Sequence, residues 1–170
     1  LQYYKSFMEW GMDGETNAFL EEVFLWLSEN LPLSPNPKKL CWGDSRIGNV
    51  LFEDFQVKSL LDWEMATIGD PLCDLAWGLT TDDVSSHGLN IEKLPGSIAN
   101  EEAIKFWEKN TGYSADNFFY YRILCLFKFS VIMIRVAKKL IHNEIMPLDS
   151  DFHVNNHVSN YLRQEFNEKN

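Results

Sequence analysis

The chain has 170 residues, 45% hydrophobic and 14% aromatic, which is enough for one compact domain with its own core. Its formal charge of -10, from 25 acidic against 15 basic residues, repels polyphosphate and disfavours binding to nucleic acid or to an anionic membrane, so a nucleotide would have to arrive with a metal. Cys41, Cys73 and Cys125 are odd in number and widely spaced, which suggests neither a disulfide framework nor a zinc site and fits a reducing, cytoplasmic setting.

In chain order, residues 3–10 read as the end of a helix that began upstream, because apolar and aromatic positions appear at once with no capping residue before them. The chain also opens on Leu1 rather than Met, so the native start is expected to have been removed. Phe19, Leu20, Val23, Phe24, Leu27 and Leu31 recur at helical spacing behind Thr16 or Asn17 as cap, and Pro32, Pro35 and Pro37 end that helix. Residues 39–42 read as a short strand and 43–49 as a loop, followed by strands at 50–52 and 57–61 that form a small antiparallel hairpin.

Asp70 before Pro71 is read as an N-cap with proline at the first helical position. Leu72, Leu75, Ala76 and Leu79 supply that helix with its apolar face, and a polar loop is expected from residue 80 to 96. A helix over 101–110 closes at Gly112, and a long helix begins at Ser114 or Asp116 and reaches about Asn143. Residues 118–141 are interrupted by Arg122, Lys128 and Arg135, which favours a buried central helix over a membrane span. A last helix is expected from Ser150 or Asp151 to about Phe166.

Two segments carry chemistry: Trp42-Gly43-Asp44-Ser45-Arg46-Ile47-Gly48-Asn49, and Asp62-Trp63-Glu64 after an apolar run. An Asp with an Asn five residues later, then a second Asp beyond a hairpin, is a pattern by which phosphoryl-transfer enzymes hold Mg²⁺ and a substrate hydroxyl. Mg²⁺ prefers oxygen ligands, which Asn49 and Asp62 would supply, leaving Asp44 to accept the hydroxyl proton. Arg46 shares the loop with Asp44 and is the candidate to stabilise charge on the transferring group. Gly, Asp, Ser and Asn are also ordinary turn formers, so residues 43–49 alone would be ambiguous. Asp62 at a strand end, where a carboxylate partly removed from water needs a partner or a metal, tips the reading toward a phosphotransferase site.

At these residues the chain resembles the aminoglycoside phosphotransferase family, the protein-kinase-like group that includes choline and homoserine kinases. Its hallmark is H-G-D-x-x-x-x-N followed by a strand ending in D-x-[DE]; here the segments read W-G-D-S-R-I-G-N-V-L-F and L-L-D-W-E, and G-D-P-L-C-D-L-A-W continues the likeness. The resemblance implies an α+β, mainly α, kinase-like C-terminal lobe over residues 1–170, with a small hairpin beside the catalytic loop. It implies Asp44 as catalytic base, Asn49 and Asp62 as nucleotide-bound magnesium ligands, and Glu64 as an outer or second-metal group. Asp74 becomes a buttress for the catalytic loop, and ATP with Mg²⁺ the co-substrate. Trp42 stands where the family carries His, and no G-x-G-x-x-G loop or strand with a phosphate-pairing Lys is present. The expectation is therefore a catalytic lobe, inactive alone, that acts on a hydroxyl of a small molecule; the alternative is a kinase-like ligand-binding module without catalysis.

His153 and His157 are spaced four apart on the expected last helix, but no third ligand accompanies them, so a solvated face is the preferred reading. Asp82 and Asp83, expected in the 80–96 loop, are read as exposed charges rather than as a magnet for a cationic substrate.

Overall fold

The computed structural model describes residues 1–169. They fall into two compact units, Leu1–Leu31 with the chain from Ile123 onward, and Pro32–Arg122. Among the described residues no helix is long and apolar enough to cross a membrane.

The first unit is helical. Helix α1 spans Gln2–Met12 and α2 spans Ala18–Glu29. Asn17 caps α2, its Oδ1 accepting from the Leu20 N–H at 3.1 Å, as the sequence suggested. Helix α5, Phe118–His142, contributes Ile123, Leu126, Phe127, Val131 and Ile134 to a core shared with Met8, Leu20, Val23 and Leu27. The Arg135 guanidinium stacks on the Trp10 ring at 3.8 Å, so this cation packs as a plate over an aromatic face.

The last helix, α6, runs His157–Lys169 and not from residue 150. Asn156 sets its start: Asn156 Oδ1 accepts from Val158 N at 3.0 Å and Ser159 N at 3.1 Å, while Ser159 Oγ accepts from Asn156 N at 3.0 Å. That reciprocal cap satisfies amides that an earlier start would have left to the helix itself. His153 consequently precedes the helix and does not share a face with His157; its Nε2 lies 3.5 Å from Glu15 Oε2.

The second unit holds four short strands, β1 Lys39–Cys41, β2 Val50–Glu53, β3 Gln56–Leu60 and β4 Thr67–Gly69, and the helices α3 Leu72–Ser86 and α4 Asn100–Thr111. β2 and β3 form the expected hairpin, pairing Val50 with Leu60. Its two-residue turn puts Asp54 at φ 50° and Phe55 at φ 61°, the double left-handed conformation that matches the twist of hairpin strands. β4 was not foreseen; it pairs antiparallel with β1, Lys39 opposite Gly69 and Cys41 opposite Thr67. A three-residue strand has no periodicity of its own to read.

Helix α3 also departs from expectation. It begins at Leu72, with the Asp70 carboxylate accepting from the Leu72 N–H at 2.9 Å, and it runs on to Ser86 where a polar loop from residue 80 was expected. Asp70 does more than cap: its Oδ2 accepts from Asn36 N at 2.9 Å, and Asn36 in turn bonds the backbone of Ser114. The helix continues because Thr81, Asp83 and Ser86 are buried with partners. Thr81 and Ser86 donate to the carbonyls of Trp77 and Asp82, each at 2.8 Å. Asp83, 2% exposed, accepts from Lys93, Asn100 and Arg122, each at 2.7 Å. Burial alone would push the Asp83 carboxyl up, but those donors outweigh it and hold the group below its ordinary value. Asp83 is therefore an interior anchor, while Asp82 pairs with Lys93 at 2.7 Å from the exposed side.

Candidate active site

The 43–49 loop hangs from the first two turns of α3. Asp74 receives the backbone N–H of Trp42 at 2.7 Å on one carboxylate oxygen and that of Gly43 at 2.8 Å on the other. Ser45 Oγ donates to the Asp74 carbonyl at 2.6 Å. The two bonds to the carboxylate are charge-assisted, successive amides donating to a single side chain, and with the Ser45 bond they set the path of the loop. Gly43 must be glycine: its φ is +92°, and a Cβ there would lie 2.1 Å from the Met65 carbonyl oxygen.

The loop presents Asp44, which is 9% exposed. Its Oδ1 accepts from the Trp77 indole Nε1 at 2.7 Å. Its Oδ2 accepts from Asn49 Nδ2 at 2.7 Å and from Arg46 Nε at 3.0 Å. Asn49 donates again to the Asp44 carbonyl at 3.1 Å. With its amide nitrogen turned to Asp44, Asn49 keeps its oxygen as the acceptor end. Three of the expected site residues, Asp44, Arg46 and Asn49, are thus joined in one hydrogen-bonded group. The guanidinium of Arg46 remains about half exposed.

Asp62 follows β3 on the strand paired with the segment that leaves Asn49. The Leu61 N–H donates to the Asn49 carbonyl at 2.8 Å, and the Leu61 carbonyl accepts from the Trp42 indole Nε1 at 2.7 Å. The peptide leading into Asp62 is therefore fastened to both ends of the 42–49 loop. Asp62 itself sits at φ 58°, a left-handed conformation uncommon for a residue with a Cβ and frequently found where a side chain is held for function. Asp62 is exposed rather than partly removed from water as expected, because the strand β3 leading to it is exposed along its whole length, and Glu64 is exposed in a turn. Trp42, where the family carries His, does a definite job here, since its N–H ties the loop to the strand end and its ring lies 6.0 Å from that of Trp63.

The oxygen donors of Asn49, Asp62 and Glu64 are of the type a hard divalent cation takes. Among the described residues no three His, Cys, Asp or Glu side chains gather as a metal cluster. One amide and two carboxylates fall below that count, and magnesium beside a nucleotide completes its shell with phosphate oxygens and water. Beneath the loop, burial and the negative charge of Asp74 push the Cys41 thiol up to about 11, so it stays protonated.

Two residues of the site were missed in the sequence, Trp77 and Gly78. Both share a face of α3 with Asp74, three and four positions on. A Cβ on Gly78 would lie 2.7 Å from the Ser45 carbonyl oxygen, so the bare glycine is what lets the helix reach the loop. The signal was present once Asp74 was placed on a helix: Trp77 at that spacing carries an obligate donor toward the same loop.

The phosphotransferase enzyme family (APH) matches this chain over residues 5–104. The chain is 32% identical over 124 residues to acyl-CoA dehydrogenase family member 11 of Pongo abelii, covering 66% of this chain and 16% of that protein. The Gallus gallus protein of the same name is 33% identical over 138 residues, covering 73% of this chain and 18% of the relative. The chain thus spans less than a fifth of the curated relatives it matches. Among solved structures, "a putative aminoglycoside phosphotransferase" from Ralstonia eutropha JMP134 superposes with a TM-score of 0.72 at 17% identity, covering 96% of this chain and 51% of that one. At that identity the likeness speaks for the fold, which is kinase-like. With the family matched over more than half its length and the fold over nearly all of it, the chain belongs to the APH phosphotransferase enzyme family.

Proposed function

We propose that this chain is the catalytic lobe of an ATP- and Mg²⁺-dependent phosphotransferase that phosphorylates a hydroxyl group of a small molecule. The observation that carries the reading is the Asp44 carboxylate, oriented by donors on both oxygens in a loop that is itself clamped by Asp74. Phosphoryl transfer needs positioning and charge stabilisation more than covalent chemistry, and a rigidly held acceptor fits that need. In the proposed reaction the substrate hydroxyl oxygen bonds to the γ-phosphorus as the bond to the bridging oxygen breaks. ADP leaves, and the hydroxyl proton passes to Asp44.

Asn49 and Asp62 would hold magnesium, with Glu64 as an outer or second-metal group; when bound, the ion neutralises charge on the phosphate oxygens. Arg46 would place positive charge beside the transferring phosphoryl group, its guanidinium being half exposed while its Nε is committed to Asp44. The odd count and wide spacing of the cysteines fit a reducing compartment such as the cytoplasm.

The test is turnover by the complete gene product on a panel of hydroxylated compounds. The panel includes aminoglycosides, amino alcohols and, because the curated relatives carry acyl-CoA in their names, hydroxyacyl thioesters. ATP consumption that depends on one acceptor and vanishes in Asp44→Asn is expected. Binding of an acceptor without any ATP consumption would replace this reading with the ligand-binding module.

A further inference from the structure

We infer that Trp77 is a positioning residue for Asp44, holding one carboxylate oxygen so that the remaining lone pair of that oxygen is presented as a fixed acceptor to the substrate hydroxyl. The inference rests on the phosphotransferase reading above and adds to it a residue outside both loop segments.

An ionised carboxylate offers about four lone-pair positions. On Asp44, Oδ2 receives Asn49 Nδ2 and Arg46 Nε, and Oδ1 receives the Trp77 indole at 2.7 Å. The Cβ–Cγ torsion of an aspartate is a broad, twofold one, so donors on Oδ2 alone leave the plane of the group loosely set. Asn49 and Arg46 belong to the same loop as Asp44 and move with it. Trp77 belongs to α3, is 3% exposed, and fixes the plane relative to a different element. An indole N–H can only donate, so it directs the oxygen without competing for the proton that the oxygen must receive.

The neighbouring residues support this role. Asp74 and Gly78 flank Trp77 on its face of α3; the first clamps the loop backbone and the second removes the side chain that would keep the helix off Ser45. Loop path and carboxylate orientation are thus set by one stretch of helix, the rigid support on which a reactive group needs to be built. A purely structural tryptophan would also bury its ring and find a partner for its N–H. The two roles differ in what the N–H does for turnover.

The experiment compares Trp77→Phe, and the isosteric benzothienylalanine at position 77, with the unsubstituted complete gene product. Trp107→Phe, on α4 with its ring 5.9 Å from that of Tyr113, serves as the control for loss of an indole elsewhere. Both replacements at 77 keep a buried ring and remove the donor. The expected result is a fall in kcat of about 10- to 100-fold with KM for ATP little changed, full activity in Trp107→Phe, and a shift of the Trp77 indole N–H resonance in Asp44→Asn. Retained kcat in the benzothienyl variant, or an indole resonance blind to Asp44→Asn, overturns the role of Trp77 while Asp44-dependent turnover leaves the phosphotransferase reading standing. Absence of turnover in the unsubstituted protein on every acceptor overturns that reading, and the positioning role with it.

Discussion

Gly78→Ala separates the reading of α3 as support for the loop from that of an ordinary surface helix. In a helix interior, replacing glycine by alanine is ordinarily favourable by about 1 kcal/mol, since alanine loses less backbone freedom on folding. Here the added Cβ would stand 2.7 Å from the Ser45 carbonyl oxygen, where ordinary contact begins at 3.4 Å, a shortfall of 0.7 Å (3.4 − 2.7). The obstructing atom is backbone, and Ser45 is tied to the same helix through its Oγ bond to the Asp74 carbonyl at 2.6 Å, so the loop cannot turn aside cheaply. Overpacking of this kind costs about 1–3 kcal/mol, which at the least cancels the propensity gain and leaves a net loss of about 0–2 kcal/mol. Urea denaturation followed by circular dichroism measures it. Gly48→Ala, where an added methyl meets nothing within 4 Å, is the comparison and is expected to stay within about 0.5 kcal/mol. In the complete gene product the displaced loop carries Asp44 with it, and kcat should fall about 10- to 100-fold. A Gly78→Ala protein more stable than its parent, with kcat intact, would refute the close approach of helix and loop and the positioning argument built on it.

Asp83→Ala leaves Arg122 and Lys93 without their buried carboxylate and should cost about 3 kcal/mol or more, read from the urea midpoint. Because the folded-state value of Asp83 lies below its ordinary 3.8, the unfolded chain binds the more protons. The stabilisation is therefore full above about pH 4 and lost as pH falls through the depressed value. Asp83→Asn should flatten that acid limb, and an unchanged limb would show that the group is not held as described. Trp42→Phe removes the indole bond to the Leu61 carbonyl, whose surroundings are open to water, so stability should change by about 1 kcal/mol or less. If that bond positions the segment of Asp62, the Mg²⁺ concentration for half-maximal turnover should rise severalfold. An unaltered metal dependence would separate Trp42 from Asp62.

Residues 43–49 could be read as a chemical loop because its residue types are dictated locally: glycine where the backbone is left-handed, and acid and amide where oxygen and nitrogen must meet. Asp44 and Asn49 are five apart and close a turn, so their contact is a short-range property. The same holds for Asn17 capping α2 and for Asp70 at the start of α3. Asp74 could be assigned to the loop backbone only through resemblance, since the contact spans more than thirty residues.

Where the reading of α3 and β4 missed, the deciding groups were distant in sequence. Helix α3 continues through Thr80, Thr81 and Asp83 because Lys93, Asn100 and Arg122, up to 39 residues away, satisfy a carboxylate that would otherwise have to face water. Strand β4 exists because β1 is there to pair with it. Helix α6 starts late because Asn156 and Ser159 cap each other, a choice among several local caps that a linear scan does not rank.

The amino-acid sequence by itself determined the residue types and local turn of the 43–49 loop, the helix faces and the hairpin, because spacing, capping and turn conformation act within a few residues. Only the tertiary structure decided which donors meet Asp44 and where α3 ends. Those outcomes depend on burial and on pairing between segments that the chain brings together only when folded.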